Sequence, residues 1–342
     1  MPTETIRFAA IGLNHAHIYG QTNLLLQAGA ELVSFYAVEP DLAAQYGQVY
    51  PQATQVSDPR VILEDPTIHL IISAAIPDER APLGIAAMRH GKDYMVDKPG
   101  FTSMAQLEEV RRVQAETGRI YSICFGERFQ SAATVRAGEL VRSGAIGAVV
   151  QTIGLGPHRV NLAARPSWFF QRDRFGGIIN DIGSHQAEQF LFFTNAARAE
   201  VVTAQVANYR HPQYPEFDDF GDVLLRGVTP EGLEVSGYIR VDWYTPDGLG
   251  TWGDGRLIVL GTDGYIEVRK NIDIAGRPGG NHLFLVDQKG THYIDCNDVA
   301  LPYGPCLVYD ILHRTETAMP QEHCFLASEL VLRAQQVAHR LK

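Results

Sequence analysis

No run of about 18 consecutive apolar residues occurs in the 342-residue sequence, so we expect no membrane-spanning helix. Basic clusters are also missing, and 39 acidic against 29 basic side chains give a net charge of −10, which argues against a nucleic-acid partner. The cysteines form no C-x-x-C pair; they are Cys124, Cys296, Cys306 and Cys324. They therefore predict neither a disulfide framework nor a zinc site, and they are typical of a reducing cytoplasm.

The beginning of the sequence has no basic segment followed by an apolar core, so we expect no secretory signal and a cytoplasmic location. The remaining composition, 45% hydrophobic and 20% charged, is that of an ordinary soluble protein. A chain of this length can form two domains, each with a core of its own. The change of pattern near residue 125 predicts domains over residues 1–125 and 126–342.

Strand-like and helix-like segments alternate through the first domain. Strands are predicted at 6–11, 31–38, 68–75, 93–96 and 120–125, and helices at 18–28, 41–50, 81–90 and 103–117. The strand at 68–75 is almost entirely apolar, as expected of a strand that is buried on both faces of a parallel sheet. This alternation predicts an α/β fold with a doubly wound parallel sheet.

The first strand runs into Gly12-Leu13-Asn14-His15-Ala16-His17, between a strand and a helix, where a dinucleotide-binding loop would lie. The fingerprint G-x-G-x-x-G has three glycines, and only Gly12, which makes the tight turn, is present. Asn14 and His17 replace the other two glycines. In the fingerprint, the second glycine lets the backbone approach the pyrophosphate and the third lets the helix pack closely on the strand. The pattern alone is weak, but its place predicts that Gly12, Asn14, His15 and His17 line a cofactor site.

Glu39 ends the second predicted strand, 27 residues after Gly12. A carboxylate here can accept hydrogen bonds from ribose hydroxyls and repels a 2′-phosphate, which favours NAD over NADP; the alternative is a solvated loop acid. His15 and His17 form an H-x-H pair, which a metal ion could use. Two imidazoles need further ligands, and none with suitable spacing occurs nearby, so we expect no metal and histidines that line the cleft or pack.

The strand at 93–96 leads directly into Asp97-Lys98-Pro99-Gly100. Ligands of open α/β sheets bind at the carboxyl ends of strands, so this charged pair is expected in the cleft; the alternative is a surface ion pair before a loop. The segment Gly91–Pro99 resembles the G-K-x-V-x-x-E-K-P motif of the glucose-fructose oxidoreductase / inositol dehydrogenase / MocA family, with Asp97 in place of the usual Glu. Gly176–His185 is similar to the family's G-G-x-x-x-D-x-G-x-H motif.

The resemblance covers most of the chain, and two separated motifs are more specific than either alone. It implies an N-terminal Rossmann domain and an NAD(P)-dependent oxidoreductase that acts on a hydroxyl carbon of a sugar, polyol or related compound. The residues expected at the cofactor then also include Pro77, Asp97, Lys98 and Pro99. After the third strand the family often has a His where this chain has Arg80, which leaves the substrate open.

From about residue 126 the alternation stops. Helices are predicted at 132–143 and 181–193, and strands at 149–154, 201–209, 222–226, 233–243, 256–261, 265–270, 283–287 and 292–295. The pattern predicts a C-terminal α+β domain with a large, mostly antiparallel sheet. One face of such a sheet needs a cover, so we expect a homodimer or homotetramer, as the resemblance also implies. A last helix at 321–341 is expected to pack back on the first domain.

Asp181 and His185 are four residues apart, which places them on one face of a helix. Oxidation of an alcohol needs a proton acceptor, and histidine has a suitable pKa near neutrality. Lys98 would stabilise negative charge on the reacting oxygen, or would itself be the base if burial and the positive nicotinamide lower its pKa. Asp181 would orient the imidazole or bind a neighbouring hydroxyl.

Further substrate-binding candidates follow predicted strands or turns: Arg128, His158 and Trp168. Together with Lys98 and the pair above they indicate a polar, polyhydroxylated or acidic substrate. Two alternatives remain open. The protein could use NAD as a transient oxidant in glycoside cleavage or epimerisation with no net redox change, or it could be a non-catalytic sugar or cofactor sensor on the same scaffold.

Overall fold

In the computed structural model, which describes residues 5–342, the chain folds into two units. The first unit comprises the described residues up to Cys124 together with Pro302–Phe325. The second comprises Phe125–Leu301 and Leu326–Lys342. The chain therefore leaves the first unit at the end of its last strand and contributes to it again, after Leu301, through residues 302–325.

Up to Cys124 the chain alternates strands and helices. The elements are β1 (Arg7–Ile11), α1 (His17–Gln27), β2 (Glu31–Tyr36), α2 (Pro40–Val49), β3 (Thr54–Gln55), α3 (Arg60–Glu64), β4 (Leu70–Ser73), α4 (Pro77–Arg89), β5 (Asp93–Asp97), α5 (Met104–Thr117) and β6 (Tyr121–Cys124). The short elements β3 and α3 were not predicted. The helix predicted from residue 81 begins four residues earlier, because Pro77 takes the first helical position, where a missing N–H costs nothing.

The six strands of the first unit form a parallel sheet in the order β3-β2-β1-β4-β5-β6. Every residue of β4, β5 and β6 is buried, as expected of strands covered on both faces. The predicted doubly wound parallel sheet is confirmed. In this strand order the chain reverses direction of winding beside β1, and ligands of such sheets bind there, beyond the carboxyl ends of the strands.

Helix α5 shows how local sequence sets the element ends. The hydroxyl of Ser103 accepts a hydrogen bond from the backbone N–H of Gln106 at 3.3 Å and caps the start of the helix. At the other end Gly118 adopts φ 62°, the left-handed conformation that terminates helices. One face buries the apolar side chains Leu107, Val110 and Val113. These two caps fix the ends of the helix that follows the Asp97-Lys98 segment.

The second unit begins with helices and then becomes mainly strands. Its elements up to Leu301 are α6 (Gly126–Phe129), α7 (Ala132–Arg142), β7 (Val149–Pro157), α8 (Arg172–Phe175), α9 (Ile178–Asp181), α10 (Gly183–Thr194), β8 (Arg198–Ala207), β9 (Phe220–Val228), β10 (Glu234–Asp242), β11 (Arg256–Gly261), β12 (Tyr265–Arg269), β13 (His282–Asp287) and β14 (Gly290–Ile294). Short 3₁₀ turns lie at Leu162–Ala164 and Ser167–Phe170.

The C-terminal segment supplies three more elements: α11 (Tyr303–His313), α12 (Gln321–Val337) and β15 (His339–Arg340). The last helix is shorter than the predicted 321–341, because residues 339–340 pair in parallel with β8. Its first turn belongs to the first unit, where the Gln321 side chain bonds both backbone groups of Tyr121. From Leu326 onward it belongs to the second unit, where Gln335 accepts from the Ile179 N–H.

Nine strands of the second unit form one sheet in the order β14-β13-β12-β11-β7-β10-β9-β8-β15. The pairs β7–β10 and β8–β15 are parallel and the others antiparallel, which confirms the predicted mostly antiparallel sheet. Burial alternates along β9 and β10, so one face is covered; α10 packs on it and is buried along almost its whole length. Within residues 5–342, helices long and apolar enough to cross a bilayer are absent.

Candidate active site

The loop after β1 depends on Gly12. This residue has φ +79°, and a Cβ placed on it would lie 2.5 Å from the Cβ of Ala75. Backbone hydrogen bonds from Ala74 N to Gly12 O and from His15 N to Ala74 O, both 3.0 Å, hold the loop against the end of β4. Glycine is therefore required here by both backbone conformation and space.

The side chain of Asn14 is bound to the end of β2. Its Nδ2 donates a hydrogen bond to Oε1 of Glu39 at 2.7 Å. Glu39 itself occupies the position before the first residue of α2, with extended backbone. The structure thus joins two predicted cofactor residues, one from each of the neighbouring strands β1 and β2, and places a carboxylate at the strand end where ribose hydroxyls are bound in dinucleotide folds.

Asp97, the last residue of β5, contacts both histidines of the H-x-H pair. Its carboxylate lies 2.8 Å from Nδ1 of His17 and 3.4 Å from Nδ1 of His15. Burial alone would raise the pKa of Asp97, but His17, Arg80 and His15 hold it well below its usual range. The pKa of His15 is held well below its usual value, mainly by burial and secondly by the neighbouring His17, whereas the charge of Asp97 raises it.

Arg80, in the first turns of α4, is 2% exposed and makes hydrogen bonds around the end of β5. Its Nε donates to the main-chain oxygen of Ala75 at 2.7 Å. Its Nη1 donates to the main-chain oxygens of Asp97, Lys98 and Pro99 at 3.2, 2.5 and 3.0 Å. The sequence placed Arg80 near this edge but contained nothing that indicated its burial or these contacts.

Lys98 follows β5 directly and is 6% exposed. The peptide bond between Lys98 and Pro99 is cis. Pro77, the remaining predicted cofactor residue of this unit, is buried at the first position of α4. Gly12, Pro77 and Lys98 follow the neighbouring strands β1, β4 and β5, so all three lie at the carboxyl edge of the first sheet, as predicted.

In the second unit, Asp181 ends the short helix α9 and His185 lies in the first turn of α10. Ile182 between the two helices has helical backbone angles, so the predicted helix is interrupted in its hydrogen bonding but the two residues remain about one turn apart. Both are buried, Asp181 at 7% and His185 at 4% exposure. The ring of Phe125 packs edge-on to His185, with 6.3 Å between ring centroids.

Arg165 is a charged neighbour of Asp181 that no sequence motif indicated. Burial lowers the pKa of Arg165, and the charge of Asp181 opposes that shift. The guanidinium stacks on Phe169 at 4.2 Å and on Trp243 at 5.0 Å from their ring centroids. Arg165 and Asp181 are therefore oppositely charged neighbours in the second unit.

Arg128 was predicted to enter the substrate cleft, and the structure engages its guanidinium in a buried ion pair. Both its Nε and Nη2 lie 2.6 Å from Oε1 of Glu188, which is fully buried. The guanidinium also lies between the rings of Phe129 and Phe192, at 4.1 and 4.3 Å from their centroids. These contacts are those of a buried ion pair, and the substrate-binding role of Arg128 stays a prediction.

The two remaining substrate candidates lie among aromatic side chains. The imidazole of His158 is 4.4 Å from the ring of Trp252 and 5.5 Å from that of Trp243. Trp168 lies in the 3₁₀ turn Ser167–Phe170, half-buried beside Phe169. A surface cavity next to this turn is lined by Arg165, Ser167, Phe170, Gln171, Tyr214 and Glu216.

The residues at the edge of the first sheet fit a nicotinamide dinucleotide. The Gly12 turn packs so closely on Ala75 that no side chain could be added there, as the tight turn of a dinucleotide loop requires. The Asn14 amide is held at Glu39, so the residue that replaces the second glycine is tied to the strand end. Glu39 remains at the position suited to a ribose.

These features define the class of nicotinamide-dependent oxidoreductases with a Rossmann domain and a separate second domain. Residues 6–125 match the family model described as oxidoreductase family, NAD-binding Rossmann fold, and residues 134–267 match the GFO/IDH/MocA C-terminal domain. The chain belongs to the GFO/IDH/MocA family of oxidoreductases. The resemblance inferred from the two sequence motifs is thereby confirmed.

Individual relatives agree with this assignment. The crystal structure of a provisionally assigned oxidoreductase from Erwinia carotovora atroseptica SCRI1043 superposes with a TM-score of 0.95 at 45% identity, over 99% of this chain and 100% of that chain. The scyllo-inositol 2-dehydrogenase (NAD(+)) of Bacillus subtilis (strain 168) is 24% identical over 313 residues, 91% of this chain and 85% of that protein. The uncharacterised oxidoreductase YdgJ of Escherichia coli (strain K12) is 28% identical over 201 residues, and this chain spans 56% of its length.

Proposed function

We propose that the protein transfers a hydride between NAD and a hydroxyl-bearing carbon of a sugar, polyol or related hydroxy compound. The observation that carries the proposal is the carboxyl edge of the first sheet. Glu39 follows β2 there and offers a carboxylate to a ribose. Gly12 follows β1 and forms the tight turn, and Lys98 follows β5 as a buried basic side chain. The name of the Bacillus subtilis relative, an inositol dehydrogenase, supports a polyhydroxylated substrate.

Bound NAD would supply the hydride acceptor, and the protein would supply placement and proton transfer. We propose that the carboxylate of Glu39 accepts hydrogen bonds from both ribose hydroxyls of NAD. Lys98 donates a hydrogen bond to the reacting oxygen and stabilises the negative charge that develops on it as the hydride leaves the carbon. His185 accepts the hydroxyl proton, and Asp181 orients the imidazole or a neighbouring hydroxyl.

Replacement of Lys98 tests this assignment. Lys98→Met removes the charge at nearly constant length, and we expect kcat for NADH formation on a responsive sugar or polyol to fall by about 10²-fold or more. Lys98→Arg keeps the charge and is expected to retain a larger share of the activity. Wild-type turnover in the Lys98→Met enzyme would remove the proposed role of this residue.

The pH profile separates the two candidate bases. If His185 accepts the proton, His185→Asn abolishes the acid limb of the kcat profile, whereas Lys98→Arg preserves it. The opposite result assigns the base to Lys98. Conversion of a glycoside or an epimer with no NADH release, while NAD stays bound, would instead identify the redox-neutral reaction in which NAD is a transient oxidant.

We also propose that the protein is a homodimer or homotetramer through the uncovered face of the nine-stranded sheet. Leu260 and Tyr265 are direct cross-strand partners on β11 and β12 and are 40% and 41% exposed. Tyr293, on β14, is 43% exposed. Light scattering after gel filtration should show an oligomer for the wild type and a monomer for Leu260→Glu, whereas Val49→Glu, at an exposed position of α2 in the first unit, should leave the oligomer intact.

A further inference from the structure

Three potential metal ligands converge where β1 and β5 leave the first sheet. They are the imidazoles of His15 and His17 and the carboxylate of Asp97, and one ligand atom from each lies within 4.8 Å of the others. The histidines are two positions apart in the loop, and Asp97 comes from a strand 80 residues later. We propose that these three residues bind a divalent transition-metal ion of the zinc class.

The distances match what a common metal ion would need. Zinc holds nitrogen and carboxylate oxygen at about 2.0–2.2 Å in tetrahedral geometry, so two of its ligand atoms lie about 3.4 Å apart. Nδ1 of His15 and Oδ2 of Asp97 are 3.4 Å apart, which fits this geometry. Nδ1 of His17 lies 2.8 Å from the other carboxylate oxygen, Oδ1, so the half-exposed imidazole of His17 must rotate towards Oδ2 for one ion to bind all three side chains.

The surroundings provide a fixed ligand and an open side. The Asp97 side chain is 2% exposed and is held from behind by Nη2 of Arg80 at 3.3 Å. Such an outer contact orients a ligating carboxylate. The side chains of His15 and His17 are 29% and 49% exposed, so solvent can reach the site. Three protein ligands and an open position are the arrangement of metal sites that exchange a water or another small ligand.

Zinc titration of tag-free protein, after treatment with a chelator and dialysis, tests the proposal. We expect one zinc ion per chain in the micromolar range or tighter by calorimetry. His17→Gln and His15→Gln should each weaken zinc binding by about tenfold or more, since even outer contacts of metal sites can matter that much. His90→Gln is the control, because His90 is exposed at the end of α4 and its ring contacts the Ala86 carbonyl, away from the three proposed ligands.

Cobalt provides a second measurement that does not depend on a variant. Bound Co²⁺ should show the intense visible absorption of a low-coordinate site with nitrogen ligands, and zinc should displace it. Far-UV circular dichroism of the two variants checks that they remain folded. Absence of stoichiometric zinc binding by the wild type, or equal affinity in the wild type and both folded variants, would overturn the proposal and leave the cluster as a charge-assisted hydrogen-bond network.

Discussion

Arg80 donates a hydrogen bond from Nη1 to the main-chain oxygen of Lys98 over 2.5 Å. An almost fully buried arginine therefore positions Lys98, the residue that we propose donates a hydrogen bond to the reacting oxygen of the substrate. The same guanidinium binds the flanking main-chain oxygens of Asp97 and Pro99. Arg80 acts through the backbone and is therefore a positioning residue. Four carbonyl groups and one carboxylate share this single side chain.

Replacement of Arg80 should be costly. Arg80→Met leaves the buried Asp97 without one of its cations and several carbonyls without a donor, and loss of one partner of a buried pair typically costs about 3–5 kcal/mol. Arg89→Met in the same helix is the control, because Arg89 is 53% exposed and its pair with Glu109 is worth at most about 1 kcal/mol. Urea unfolding of both variants measures the difference. Equal stabilities would contradict the structural role of Arg80.

The Gly12 turn predicts a second contrast. Gly12→Ala forces an alanine into φ +79° and places its Cβ 2.5 Å from that of Ala75, so both strain and a clash result. Gly29→Ala has the same left-handed strain at φ +85° but open space, and should cost about 1–2 kcal/mol. We expect Gly12→Ala to be clearly less stable than Gly29→Ala and to lose NAD binding. Retention of wild-type NAD affinity by Gly12→Ala would show that the loop is not at the cofactor.

The elements that could be predicted are those whose signals lie within their own residues. Strands β4 and β5 are apolar runs, as burial on both faces of a sheet requires, and α5 carries its caps at Ser103 and Gly118. The short elements β3 and α3 have too few residues to show a period. Helix α11 was missed because Pro302, Gly304 and Pro305 at its start are typical of a loop.

The candidate site was predictable in its parts and not in its contacts. Gly12, Glu39 and Lys98 could be placed at strand ends because the alternation of elements fixes which ends share an edge. The contacts of Asp97 with His15 and with His17, which is 80 residues away in sequence, required the strand order β1-β4-β5 with its register. The buried ion pair of Arg128 and Glu188 depended on packing in the second unit, which periodicity does not report.

Thiol reactivity should follow burial. Cys306 is half-buried, whereas the other three cysteines are buried. Burial raises the pKa of Cys296 to about 11, and burial also raises that of Cys124. Because the thiolate is the reactive form, iodoacetamide at pH 8 should label Cys306 first, and Cys296 should gain reactivity only as the pH approaches 11. Peptide mass spectrometry checks the order; rapid labelling of Cys296 at pH 8 would contradict the described burial.

The carboxylate of Glu39 should control cofactor choice. Glu39→Ser removes the charge that repels a 2′-phosphate and the partner of Asn14, so affinity for NAD should fall while affinity for NADP rises. Asp41→Ser is the control, because Asp41 is exposed two residues further on in the first turn of α2. Calorimetric titrations of both variants give the ratio of the two affinities. An unchanged ratio in Glu39→Ser would remove Glu39 from the ribose site.

Calorimetric titration of the wild-type protein with NAD and, separately, with NADP, after a check for cofactor carried through purification, measures whether the Gly12 loop and Glu39 hold a dinucleotide. We expect tight binding of NAD, weak binding of NADP and, with NAD present, NADH formation from at least one sugar or polyol of a screened panel, as the proposed function requires. Binding of neither dinucleotide would contradict it, because Asn14 and His17 would then have closed the loop that Gly12 begins.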